Sequence, residues 1–214
     1  MDATITLISV FAIFIPALML PGPDFVAVVR SSMMRGAKAG LQTTLGVSVG
    51  LGLYATLSLL GLSTLLVEYQ WLTWTVRVLG GCYLIYLGIR LIRTRPKVDD
   101  FAISTDHITS KQRGNPILFG FLVTMTNQKA IVLFASVFAT AVTAETPVWL
   151  MVLMIGLVIL SALVWYTIIS LFMSSAPVMK RFSNAQHWIE RFAGVCFIAI
   201  GGRILVDARN PVSP

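Results

Sequence analysis

Apolar residues run through this 214-residue chain in long blocks, and polar residues collect between the blocks. Crossing about 30 Å of hydrocarbon takes roughly 20 apolar residues as a helix. Six stretches reach that length: Ile5 to Met33, Ala39 to Val67, Trp71 to Ile92, Pro116 to Val142, Val148 to Met173 and Trp188 to Val206. The pattern predicts an all-α polytopic membrane protein with six transmembrane helices. The first stretch is interrupted by Leu20-Pro21-Gly22-Pro23-Asp24. Both prolines lack an N–H and clash with the preceding turn, so a helix over Ile5 to Leu20 stops and a second one starts at Pro23, with Gly22 as its cap. Broken backbone at membrane depth is tolerated where protein or a water-filled cavity satisfies it, and transporters build substrate sites at such breaks. The simpler alternative is that Asp24 only caps its own helix.

Composition supports the membrane reading. The chain is 57% hydrophobic and 12% charged, with a mean hydropathy of +0.84 and a formal charge of +7. Its basic residues lie between spans and form no soluble basic face, so nucleic acid is not an expected partner. Twelve of the sixteen Lys and Arg residues fall in the first, third and fifth loops, around Arg35, Arg93 to Arg113, and Lys180 to Arg191. These loops are therefore predicted to be cytoplasmic, with both termini outside. The N-terminus has no basic region and no cleavage pattern, so it reads as a retained first span.

The longest polar stretch, 94–113, divides the chain into 1–93 and 114–209, three spans each. An odd number per half makes any similarity between halves an inverted repeat. Arg77-Val-Leu-Gly-Gly-Cys-Tyr matches Arg191-Phe-Ala-Gly-Val-Cys-Phe, pairing Gly80 with Gly194, Cys82 with Cys196 and Gly88 with Gly202. The same comparison sets Thr126-Asn127-Gln128-Lys129 in the fourth span opposite the Pro-Gly-Pro-Asp break, with Lys129 as the counterpart of Asp24. Counting helical rise from the cytoplasmic side places Asp24 about 16 Å deep and the Thr126 break about 18 Å deep. Gly36, Gly40, Gly46, Gly50 and Gly52 suggest close helix packing.

Charges at mid-membrane depth belong in an interior cavity. One carboxylate, one ammonium and a helix N-terminus together suit a zwitterion: Asp24 for its ammonium, and Lys129 or the helix end for its carboxylate. Asn127, Gln128 and Thr126 are candidates to hydrogen-bond a substrate side chain, as are Tyr54 and Tyr166, for which ordinary packing is the alternative. Gly22 and Pro23 shape the site. Asp24 is also the candidate proton-coupling group, because alternating access changes its surroundings. No metal-ligand cluster, nucleophile elbow or nucleotide loop is present in the sequence, and neither an enzyme activity nor a cofactor is expected. Three rivals remain: a thiol-redox carrier using Cys82 and Cys196, an ion or metal exporter, and a membrane scaffold that transports nothing.

The chain resembles the LysE/RhtB family of bacterial amino-acid exporters in Met19-Leu-Pro-Gly-Pro-Asp24, in Arg35-Gly-x-x-x-Gly40, and in Gly120-Phe-Leu with Thr126-Asn-x-Lys129. Trp165-Tyr-Thr-Ile-Ile-Ser-Leu-Phe and Phe192-Ala-Gly with Gly202 look most like the threonine/homoserine efflux branch. The resemblance implies proton-driven efflux of small amino acids across the inner membrane. A homodimer is compatible with the small-residue faces. Where the family usually has Asn-Pro-Lys this chain has Asn127-Gln128-Lys129, which predicts a weaker break in the fourth span.

Overall fold

The computed structural model describes residues 3–68, 70–93, 114–141, 146–172 and 176–209. The predicted linker with Asp99, Asp100, Asp106 and His107 lies outside them. Among the described residues every regular element is a helix. In order they are α1 (Ala3–Met19), α2 (Pro23–Arg35), α3 (Ala37–Glu68), α4 (Gln70–Arg93), α5 (Pro116–Met125), α6 (Gln128–Ala141), α7 (Val148–Phe172) and α8 (Ala176–Arg209). Helix is what so apolar a chain must adopt, since it satisfies backbone groups within each segment.

By length and composition two single helices among the described residues can cross a bilayer, Ala37–Leu60 of α3 and Val148–Phe172. The bent pairs α1–α2 and α5–α6 raise this to four. The predicted third and sixth spans are also helices, but α8 starts at Ala176 and absorbs the predicted fifth loop. Pro177 fits its first turn, and nothing between there and Gly194 breaks a helix.

The α1–α2 pair bends by 46° and the α5–α6 pair by 57°. The expectation of a weaker break in the fourth span is therefore corrected. A proline is not needed there, because Asn127 starts α6 by side-chain capping: its Oδ1 accepts from the N–H groups of Lys129 (3.1 Å) and Ala130 (3.4 Å).

Helices α2 and α3 are joined by a single turn residue, Gly36, whose φ of 84° is the left-handed region glycine favours. Gly36 thus serves the turn and not helix packing. Gly46, Gly50 and Gly52 of α3 do bring helices close. A Cβ on Gly46 would strike the Ile117 carbonyl of α5, one on Gly50 would meet Thr124 at 2.8 Å, and one on Gly52 would meet Ile159 of α7 at 2.7 Å. Helices α4 and α8 pack antiparallel through reciprocal contacts. Gly88 lies against the Gly194 carbonyl and Gly194 against that of Gly88; Gly81 and Gly201 repeat the arrangement seven residues away. These touching pairs differ from the sequence-matched pairs, and Gly202 faces open space.

Candidate functional site

Both helix breaks meet at one small cavity of about 30 Å³, room for water more than for an amino acid. Asp24, Gly22, Asn127, Lys129 and Tyr166 line it, with Phe14 and Phe134 among its apolar walls. Each break puts its charged residue second in the new helix: Pro23 then Asp24 in α2, Gln128 then Lys129 in α6. Each side chain then reaches back across to the other pair.

Asp24 is buried at 6% exposure. Its Oδ1 accepts from the Thr124 hydroxyl at 3.0 Å, near the end of α5, and its Oδ2 accepts from the Asn127 side-chain amide at 3.0 Å. Asn127 therefore works at both ends, capping α6 through Oδ1 and holding Asp24 through Nδ2. Lys129 donates from Nζ to the Ala17 carbonyl at 3.3 Å, in the last turn of α1. In an unbroken helix that carbonyl would bond the N–H of residue 21, and Pro21 has none. The ammonium thus occupies the acceptor that the break left over, at the negative end of the α1 dipole. Asp24, in the first turn of α2, sits at a positive end.

Carbonyls at the second break are closed in another way. The Tyr54 hydroxyl donates to the Met125 carbonyl at 2.8 Å. Tyr54, a candidate to hydrogen-bond a substrate with packing as the alternative, instead spends its hydroxyl on the backbone at the second break and is not among the residues that line the cavity. Its ring lies 6.1 Å from that of Phe134, which meets Phe14 edge-on at 5.6 Å.

Not every predicted residue enters the cavity. Gln128 is exposed, as is Pro23, so each acts by starting its helix. Thr126 is exposed too and returns its hydroxyl to the carbonyls of Leu122 and Val123. Thr124, two residues earlier and fully buried, is the threonine of this stretch that turns inward and bonds Asp24. The sequence reading missed Thr124, since only the turn of α5 decides which threonine faces inward. It also missed Glu190 of α8, a buried acid within electrostatic range of Lys129. Gly22 has an extended backbone that other residues can adopt, and a Cβ there would sit 3.7 Å from Lys129 Nζ. Cys82 and Cys196 are free thiols, Cys82 exposed on α4. Among the described residues no cluster of His, Cys, Asp and Glu could hold a metal ion.

These features define an α-helical membrane protein in which two mid-helix breaks hold an acid and a base against one cavity. The LysE type translocator family matches residues 15–208, and the chain belongs to that family. Threonine efflux protein of Salmonella typhi is 31% identical over 93% of this chain and 97% of its own length. The threonine efflux protein of Escherichia coli strain K12 is 28% identical over 94% and 97% respectively. An uncharacterized membrane protein of Haemophilus influenzae is 28% identical over 96% of this chain and 99% of its own. No solved structure gives a significant match.

Proposed function

We propose that this translocator exports small amino acids, threonine, homoserine or related zwitterions, from the bacterial cytoplasm by alternating access. The observation that carries the reading is the placement of Asp24 and Lys129 on one cavity, each bonded to a group that a substrate can replace. A substrate ammonium takes the place of the Asn127 amide and Thr124 hydroxyl on Asp24. A substrate carboxylate takes the place of the Ala17 carbonyl on Lys129. Exchanging protein partners for substrate partners loosens the contacts that tie the two broken pairs together, which gives substrate binding a means to favour a second conformation. The small cavity describes a closed state that widens on opening. The relatives named threonine efflux proteins support the substrate class.

In this reading α4 and α8 are the third and sixth of six spans, related with the others as an inverted repeat. The matched positions of Asp24 and Lys129, each second in the helix that follows its break, support it. Arg35 donates to the Gly114 carbonyl at 3.0 Å, consistent with both lying on the cytoplasmic side of the inner membrane, opposite two external termini. Asp24 couples export to protons, taking up or releasing one as its surroundings change.

Cells loaded with radiolabelled threonine test the reading. Export is expected from wild type, and is expected to be lost in Asp24→Asn, in Lys129→Met and with a proton uncoupler. Undiminished export by both variants removes the site; an absence of amino-acid flux from wild type removes the exporter.

A further inference from the structure

Serine and threonine within a helix commonly return their hydroxyl to the carbonyl one turn back. Thr43, Thr56 and Ser161 do so, onto Ala39, Gly52 and Leu157. Thr44 and Ser48 do not. Each is 1% exposed, and neither hydroxyl has a protein partner. An unpaired buried hydroxyl costs about 1–3 kcal/mol, so two of them one turn apart mark a place where water is the fitting partner. They share a face of α3 with Leu51, which lines the cavity beside Asp24.

Two neighbouring helices continue the pattern. In α2, Asp24 lies on the cavity, and Ser31 and Ser32, two turns further on, are buried. In α7, Tyr166 lies on the cavity and Ser170, one turn on, is buried. Ser32 donates to Ser170 at 3.0 Å, and Ser170 donates to the Ala37 carbonyl beside the Gly36 turn at 3.3 Å. A Cβ on Gly40 would strike both serine hydroxyls, so α2, α3 and α7 converge at that end. Elsewhere the packing is apolar, with the rings of Phe11, Phe14 and Phe134 in contact, the last two as walls of the cavity, and Val10, Ala55 and Val158 fully buried; Thr6 is the buried polar residue in α1.

We propose that Ser48, Thr44 and the Ser31–Ser32–Ser170 group form a hydrated proton path joining Asp24 to the Gly36 end of the protein. It rests on the reading of Asp24 as the proton-coupling group. Each hydroxyl or water along the path accepts one proton and passes one on, so the only net change is protonation or deprotonation of the Asp24 carboxylate. The other ionisable groups acting on Asp24 are Lys129 of α6, Tyr54 of α3 and Tyr166 of α7, and none belongs to the path.

The test uses the full chain in liposomes loaded with threonine and two readouts. Threonine–threonine exchange cycles the threonine-loaded carrier with no proton bound or released at Asp24; net flux driven by an imposed pH gradient requires Asp24 to take up a proton after threonine leaves and to release it on the other side. The double variant Thr44→Val with Ser48→Ala, which removes hydroxyls with little change of volume, is expected to retain exchange and lose pH-driven flux. Retention of both activities overturns the path. Loss of both overturns it as well, by making the hydroxyls part of the packing or of the substrate site. A second measurement is independent of transport. With Cys82→Ala and Cys196→Ala as background, Ser48→Cys is expected to react with a small water-soluble thiol reagent while Ala55→Cys stays protected. An unreactive Ser48→Cys, or equal reactivity at both positions, overturns the path. If wild type shows no threonine exchange, the exporter reading fails, and thiol reactivity alone then decides whether the column is hydrated.

Discussion

Lys129 donates its ammonium to the Ala17 carbonyl, the acceptor that Pro21 leaves without an intrahelical partner. A charge from one broken helix pair thereby repairs the backbone of the other. Asp24 returns the relationship by accepting from Thr124 and Asn127 across the second break.

Removing the ammonium should cost both stability and function. Lys129→Met leaves the Ala17 carbonyl without a donor, and the expected loss is about 1–3 kcal/mol, read as a lower unfolding temperature in detergent. Adding Pro21→Ala supplies an N–H for that carbonyl. The double variant is expected to regain stability but not threonine export; recovery of neither would mean that the Lys129–Ala17 bond does not stabilise the break.

Asn127 performs two tasks that substitution can separate. Asn127→Asp keeps a capping oxygen for α6 while replacing the donor to Asp24 with a second carboxylate. At a pH where the two carboxyl groups share one proton, near-normal folding with lost export is expected. Asn127→Ala removes the cap as well and should cost a further amount of about 0.5–2 kcal/mol. Equal melting temperatures for the two variants would contradict the capping role.

Gln128 is exposed at the first position of α6, where a backbone N–H needs no intrahelical partner. Gln128→Pro, the residue usual in the resembled family, is therefore expected to keep export. Its stability should be unchanged or higher by about 0.4–1 kcal/mol. A large drop in folded yield would show that the Gln128 N–H is needed.

Glycine substitutions should sort by contact and not by backbone angle. Gly46→Ala drives a methyl into the Ile117 carbonyl and is expected to abolish a monodisperse peak in size-exclusion chromatography. Gly22→Ala meets Lys129 only at van der Waals distance, on an extended backbone, and should fold. The reverse ranking would contradict the α3–α5 packing described here.

How much of this was legible beforehand follows from the physics involved. Helical class and the break at Pro21 to Pro23 follow from local rules, hydropathy and a missing N–H; that Asp24 and Lys129 line one cavity could be expected only by comparing the two halves of the chain. The family resemblance read from the Pro-Gly-Pro-Asp and Asn-x-Lys stretches agrees with membership in the LysE type translocators over residues 15–208. The sequence could not say that Asn127 would break the fourth span as sharply as two prolines break the first, because capping depends on where a side chain points. Nor could it choose Thr124 over Thr126, give Tyr54 its carbonyl, or leave Thr44 and Ser48 unpaired. Those outcomes depend on the rotation of each helix about its axis, which packing at Gly46, Gly50 and Gly40 fixes. Composition determined that this chain forms membrane helices; tertiary contact alone decided which of its polar atoms meet.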